Sequence, residues 1–151
     1  MKAHLQRLFR YHDWANRQYF PILSLEAVPN ECIRLYSHIL NAHGIWMARI
    51  LNQKVPVAPF DIHRVEDFLQ IHNSFQAQSE KLLEIERNFD RVISYSNSSG
   101  KRFSNSLGDI MAHIVNHGTY HRGQVAMLLR KADIAPVPTD YIFFQRDQGS
   151  Q

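Results

Sequence analysis

The stretch from Leu107 to Lys131 restricts the fold more than any other part of the chain. Apolar or small residues recur at Leu107, Met111, Ile114, Gly118, Val125 and Leu128, with His121 completing a series of alternating four- and three-residue steps. Such a repeat is the buried stripe of an amphipathic helix. At about 100° per residue, His121 lies within the stripe and His117 about 40° from it one turn earlier, with His113 a further turn back. Two imidazoles on one inward face have two readings. They are hydrogen-bonded core histidines, or they turn ring nitrogens at i and i+4 toward one divalent cation.

Three other segments carry helical periodicity. From Lys2 to about Leu23 one face is marked by Leu5, Leu8, Phe9, His12, Ala15, Tyr19 and Leu23, and Pro21 disturbs its C-terminal end. A second helix is expected from Glu31 to Asn52, with Asn30 as a candidate N-cap. One of its stripes contains Tyr36, Ile39, His43, Trp46 and Ile50; the adjacent one contains Leu35, His38, Ala42 and Ile45. A bundle helix touches two neighbours, so periodicity leaves both His38 and His43 open as a third ligand. They point about 140° apart, which argues against one site using both. A third helix is expected from Val65 to Phe89, its inward face set by Val65, Phe68, Leu69, His72, Phe75, Leu82 and Leu83. His12, His63 and His72 read as structural residues.

The connections are less regular. Gln53 to Arg64, with Pro56 and Pro59, reads as a surface loop. Arg91 to Ser106 reads as a short hairpin or extended connection, with Ser104 or Ser106 starting the last bundle helix. Beyond Lys131, two prolines favour an extended chain. The apolar run Tyr141 to Phe144 is expected to dock on the bundle or on a second subunit, and Gln145 to Gln151 to fray.

Composition sets the class. A chain of 151 residues suits one domain, residues 1–151, and 44% hydrophobic with 21% charged residues describes a soluble globular protein. The formal charge of +3 is scattered rather than gathered on one face, which argues against nucleic-acid binding. No apolar run reaches membrane-spanning length, and the N-terminal residues lack a signal-peptide core. The lone Cys32 excludes an intrachain disulfide and reads as a small buried residue rather than a nucleophile. A cytoplasmic location is expected.

Four motifs carry a family resemblance. YHDWANR (residues 11–17), LYSHILNAHGIWMARIL (35–51), HIVNHGTYHRGQ (113–124) and DYIFF (140–144) resemble the signatures of the DinB-like family of metal-binding four-helix bundles. The resemblance implies an all-α four-helix bundle and a metal site of His38, His117 and His121. It places His43 where relatives often carry an acidic residue, and His113 upstream of the ligand pair and outside it. Tyr120, Asn41 and Gln124 are candidates to orient the ligand rings, and Gly118 and Gly123 to allow close helix contact; Arg122 reads as a bundle-end salt-bridge residue or an anion contact, the structural part being preferred.

Three neutral imidazoles leave coordination positions for water or substrate and suit zinc, nickel, iron or manganese. By resemblance, the expected function is a metal-dependent, thiol-dependent transferase acting on a small electrophile, in a homodimer, with a low-molecular-weight thiol as second cofactor. A metal-dependent hydrolase, a non-catalytic metal-binding stress-associated protein and a plain helical interaction module are the alternatives.

Overall fold

A computed structural model of the chain describes residues 1–97 and 99–149. Its helices are α1 (Lys2–Leu23), α2 (Asn30–Ile50), α3 (Phe68–Ile85), α4 (Leu107–Lys131) and α5 (Tyr141–Gly149), with strands β1 (Val92–Ser96) and β2 (Arg102–Ser106) between α3 and α4. Helix α4 lies beside α1 and α2, and α3 lies beside the same two, so the four long helices close a bundle. No helix among the described residues is long and apolar enough to cross a membrane.

The helix ends have local causes. Ser106 Oγ accepts from Asp109 N at 3.1 Å and so caps α4, while the acidic Asp109 sits in its first turn. Helices α2 and α4 stop in the same way. Asn52 (φ 52°) and Asp133 (φ 56°) adopt the left-handed conformation, and the next residues, Gln53 and Ile134, donate back to Ala48 O (2.8 Å) and Leu129 O (2.9 Å). Asn30 is the first helical residue of α2 rather than its cap, since Pro29 holds the cap position and makes no side-chain cap bond.

Helix α3 is shorter than its periodicity suggests. A 3-10 turn, Val65–Asp67, precedes it, and it ends at Ile85 instead of continuing to Phe89. The Glu86 carboxylate accepts from the backbone N–H groups of Arg87 and Asn88 at 2.8 Å and from Arg91 Nε at 2.8 Å. These donors lower its pKa to about 2, the Asn88 N–H contributing most. A local side-chain acceptor has outcompeted helix continuation.

Strands β1 and β2 form an antiparallel hairpin in which Val92 pairs with Ser106 and Ser96 with Arg102. Gly100, at φ 80°, completes its turn. Tyr95 of β1 meets Trp46 of α2 edge-on at 4.9 Å, and the Arg49 guanidinium lies 4.5 Å from the Trp46 ring. The C-terminal segment corrects the extended expectation in part: residues 134–140 lie outside any helix, but Tyr141–Gly149 is helical, including the first five residues of the polar end. Tyr141 and Phe144 lie at i and i+3, so a helix can turn both toward α1. There Tyr141 meets Tyr11 at 5.2 Å and Phe144 meets Trp14 at 5.8 Å, docking the segment on its own bundle. Ser150 and Gln151 lie outside the described residues.

The core is two apolar layers with a polar belt between them. One layer contains Leu5, Phe9, Met47, Leu83, Met111 and Ile114; the other contains Tyr19, Tyr36, Ile39, Phe68, Val125 and Leu129. Between them, near the middle of each long helix, lie the buried polar residues His12, Asn16, His43, His72, Ser79 and Arg122. Asn16 links much of this belt. Its Nδ2 donates to His12 Nε2 at 3.0 Å, and its Oδ1 accepts from Arg122 Nη1 at 3.0 Å and from the Tyr36 hydroxyl at 3.2 Å. His43 Nε2 bonds Ser79 Oγ at 2.8 Å. Burial, reinforced by His72, lowers the His43 pKa to about 3, and burial also lowers that of His12 well below its usual value.

Two measurements follow from the belt. A Cβ added at Gly118 would stand 2.6 Å from His12 Cε1, and His12 is only 1% exposed. Gly118→Ala is therefore expected to destabilise by about 1–3 kcal/mol through overpacking, read from the urea midpoint. The belt also sets an acid limit. The unfolded chain protonates His43 near pH 6.5, whereas the folded chain resists until about 3. Stability is then complete above roughly 6.5 and lost as the pH falls toward 3, because the unfolded state binds the extra proton. In metal-free His43→Leu protein this loss should be shallower by up to one proton; an unchanged slope would assign the acid limit to other groups.

Candidate metal centre

The stripe on α4 that carries His117 and His121 faces α2, and α2 answers with His38. His38 Nε2 lies 3.2 Å from His117 Nε2, which lies 3.1 Å from His121 Nε2. One ring nitrogen from each residue falls within 4.8 Å of the others, and all three side chains are partly exposed. Ligands at about 2.0–2.1 Å from one ion stand roughly 2.9–3.4 Å apart in tetrahedral or octahedral arrangement, which brackets the two shortest separations.

The outer nitrogens fix what the inner ones can do. His38 Nδ1 donates to Pro59 O at 2.7 Å, and His121 Nδ1 donates to Gln124 Oε1 at 2.7 Å. Both rings therefore carry their proton on Nδ1 and turn an Nε2 lone pair toward His117. His117 Nε2–H can satisfy only one of those lone pairs at a time. A cation would satisfy all three nitrogens together, so the donor set fits a divalent metal. Burial first, then the neighbouring His121, His38 and His113, lowers the His117 pKa to about 3. Protons thus offer little competition for this ligand at neutral pH.

The loop between α2 and α3 shapes the same place. Phe60 stacks on the His38 ring at 4.5 Å and 12°. Asn41 holds the loop by donating to Asp61 O at 2.7 Å, and the His63 backbone N–H donates to Ser37 Oγ at 3.1 Å. His63 Nε2 also bonds Asn41 Oδ1. Asn41 therefore acts on His38 through the loop that supplies Pro59 O, while Gln124 acts on His121 directly. Tyr120 makes no hydrogen bond to the triad; its ring stands 5.0 Å from that of His121. Nothing in the residue types of the loop announced the parts of Pro59 and Phe60, because a backbone carbonyl carries no sequence signature.

Other histidines go elsewhere. His43 faces α3 through Ser79 and lies outside the triad, as do the core residues His12 and His72. His113 stands beside the triad, 5.5 Å from the His117 ring and 5.2 Å from Trp46, without joining the converging nitrogens. Arg122 is buried and takes no part in the ion pairs among the described residues; its bonds are to Asn16, Tyr11 and Thr119. Gly118 permits the close approach of His12, while a Cβ at Gly123 would meet nothing within 4 Å. Cys32 is fully buried, and burial raises its pKa, as expected of an inert thiol.

Metal analysis of untagged protein should separate these roles. His117→Ala and His121→Ala are each expected to lose stoichiometric metal, and His38→Ala to weaken metal by tenfold or more. His43→Ala should retain metal while losing thermal stability. Full occupancy in the His117→Ala/His121→Ala double variant would remove the triad as the site.

Comparison with known proteins shows the family of the chain. The chain is 25% identical to Protein DinB of Bacillus subtilis (strain 168) over 154 aligned positions, which cover 89% of this chain and 90% of that protein. The DinB family profile matches residues 1–151. A bundle in which two histidines one turn apart on the last long helix meet a third from the second is thus found in a chain that belongs to the DinB family.

Proposed function

We propose that this protein is a divalent-metal-dependent enzyme that transfers a low-molecular-weight thiol onto a small electrophilic molecule. The observation that carries the reading is the convergence of three imidazoles at a partly exposed site, with no carboxylate in the set. A metal held by neutral ligands keeps its full positive charge and would lower the pKa of a thiol or water placed beside it. Zinc, nickel, iron and manganese all accept such a donor set.

The chain's own residues do the positioning. Pro59 O and Gln124 Oε1 hold two rings in the tautomer that offers Nε2 inward. Around them Phe60, Tyr120 and the Trp46–His113 pair form an aromatic border. Such walls suit an organic electrophile with an apolar body. In the net reaction a carbon–sulfur bond forms, the carbon–leaving-group bond breaks, and the leaving group departs with its electron pair. The thiol proton passes to solvent or to the leaving group. Cys32 has no place in this scheme, because it lies in the apolar layer with Tyr36 and Phe68.

The test is consumption of 1-chloro-2,4-dinitrobenzene by metal-loaded protein with cysteine, glutathione or a cysteinyl sugar as thiol. Support is a thiol-dependent rate that falls at least a hundredfold in His117→Ala and on chelation, while Cys32→Ala retains it. Metal-dependent ester hydrolysis without thiol consumption would replace the transferase with a hydrolase. Neither reaction in fully metallated protein would favour a metal-binding protein without catalysis.

A further inference from the structure

A cleft lies away from the histidines. Its volume is about 580 Å3, and it opens between α1, α4 and the segment that leads into α5. Thr119 and Gly123 of α4 line it. At about 100° per residue they stand roughly 200° around the helix from His117 and His121, so the cleft and the triad occupy opposite faces of α4.

Arg122 is part of the cleft lining and is only 1% exposed. Its Nη1 donates to Asn16 Oδ1 at 3.0 Å, and its Nη2 donates to the Tyr11 hydroxyl at 3.2 Å and Thr119 Oγ1 at 2.9 Å. All three acceptors are neutral. The buried Nε has no partner, and no ion pair among the described residues includes Arg122. A buried guanidinium ordinarily has a carboxylate to offset its desolvation. Here Tyr11 and Thr119, which hold one end of the guanidinium, also line an open cleft.

The remaining lining narrows the ligand. The Arg130 side chain, which makes no hydrogen bond or ion pair among the described residues, adds a second positive charge, whereas Asp140 adds one negative charge. That balance suits one anionic group and disfavours a polyanion. Leu8, Val115 and Val137 supply apolar walls. We propose that the cleft between α1, α4 and residues 137–141 binds a small amphiphilic monocarboxylate. Its carboxylate lies toward Arg122 and Thr119, and its apolar tail lies along Leu8 and Val137. Thr119 Oγ1, which now donates to Val115 O at 3.2 Å, can turn its proton to a carboxylate oxygen while still accepting from Arg122. The site is independent of the proposed metal chemistry.

The test titrates full-length, metal-free protein with hexanoate and with 1-hexanol, following backbone amide shifts and heat. Hexanoate is expected to bind saturably with one site per chain, and hexanol at least about tenfold more weakly, the effect of losing a charged hydrogen bond. Removing Arg122 could unfold the belt, so Gly123→Leu, whose Cβ meets nothing within 4 Å, fills the cleft instead. It should weaken hexanoate at least tenfold, Arg130→Gln should weaken it severalfold, and His117→Ala should leave it unchanged. Equal binding of hexanol, no saturation at millimolar hexanoate, or indifference to Gly123→Leu would overturn the proposal. So would loss of hexanoate binding in His117→Ala, which would move the carboxylate to the triad. A change of sedimentation in Gly123→Leu without hexanoate binding to the parent protein would identify the cleft as a protein interface and overturn it equally.

Discussion

The rotation of α4 about its own axis is fixed by what Arg122 must do inside the bundle. A guanidinium with no acid beside it is tolerated only where several oxygens accept from it, and Asn16, Tyr11 and Thr119 provide them. Two of those residues belong to α1. With Arg122 held against α1, and Gly118 pressed on His12 from the same side, His117 and His121 are left facing α2. The histidine triad thus depends on a hydrogen-bonded charge that contributes no ligand to it. Arg122 also joins burial in keeping His12 neutral, so one buried cation is accommodated by excluding a second.

Helix α2 is shaped by a different pressure. It lies beside both α3 and α4, so its two stripes are buried for different reasons. One delivers His43 to Ser79 on α3, and the other delivers His38 to the pair on α4. Hydropathy sees only that both stripes face inward. Periodicity alone therefore could not choose between them; the family motif pointed to His38, and it is His38 that lies beside His117 and His121. Much else was legible: the α4 stripe follows from a local residue pattern, and of the readings left open the structure has Ser106 rather than Ser104 at the helix start and a hairpin rather than an unpaired connection.

The unread features share a cause, which is that they depend on partners distant in sequence or on backbone atoms. The early end of α3 rests on a few donors around Glu86, and the helical turn at Tyr141 on an aromatic surface supplied by α1. Pro59 reaches His38 with a carbonyl oxygen, a group that every residue owns. Arg122 looked from its position like a candidate for a salt bridge at the end of the bundle. Its burial came from the combined inward faces of α1 and α4, a property of neither helix alone.

Helix α5 has a consequence for how the chain is made. Tyr11 and Trp14 belong to α1, yet the rings that cover them, Tyr141 and Phe144, are synthesised only after all four bundle helices. Until Tyr141 and Phe144 have been made, a nascent chain carries an uncovered aromatic patch on α1. A product cut short before Tyr141 would keep that patch permanently, presenting chaperones and proteases with a mark of incompleteness that the finished protein conceals.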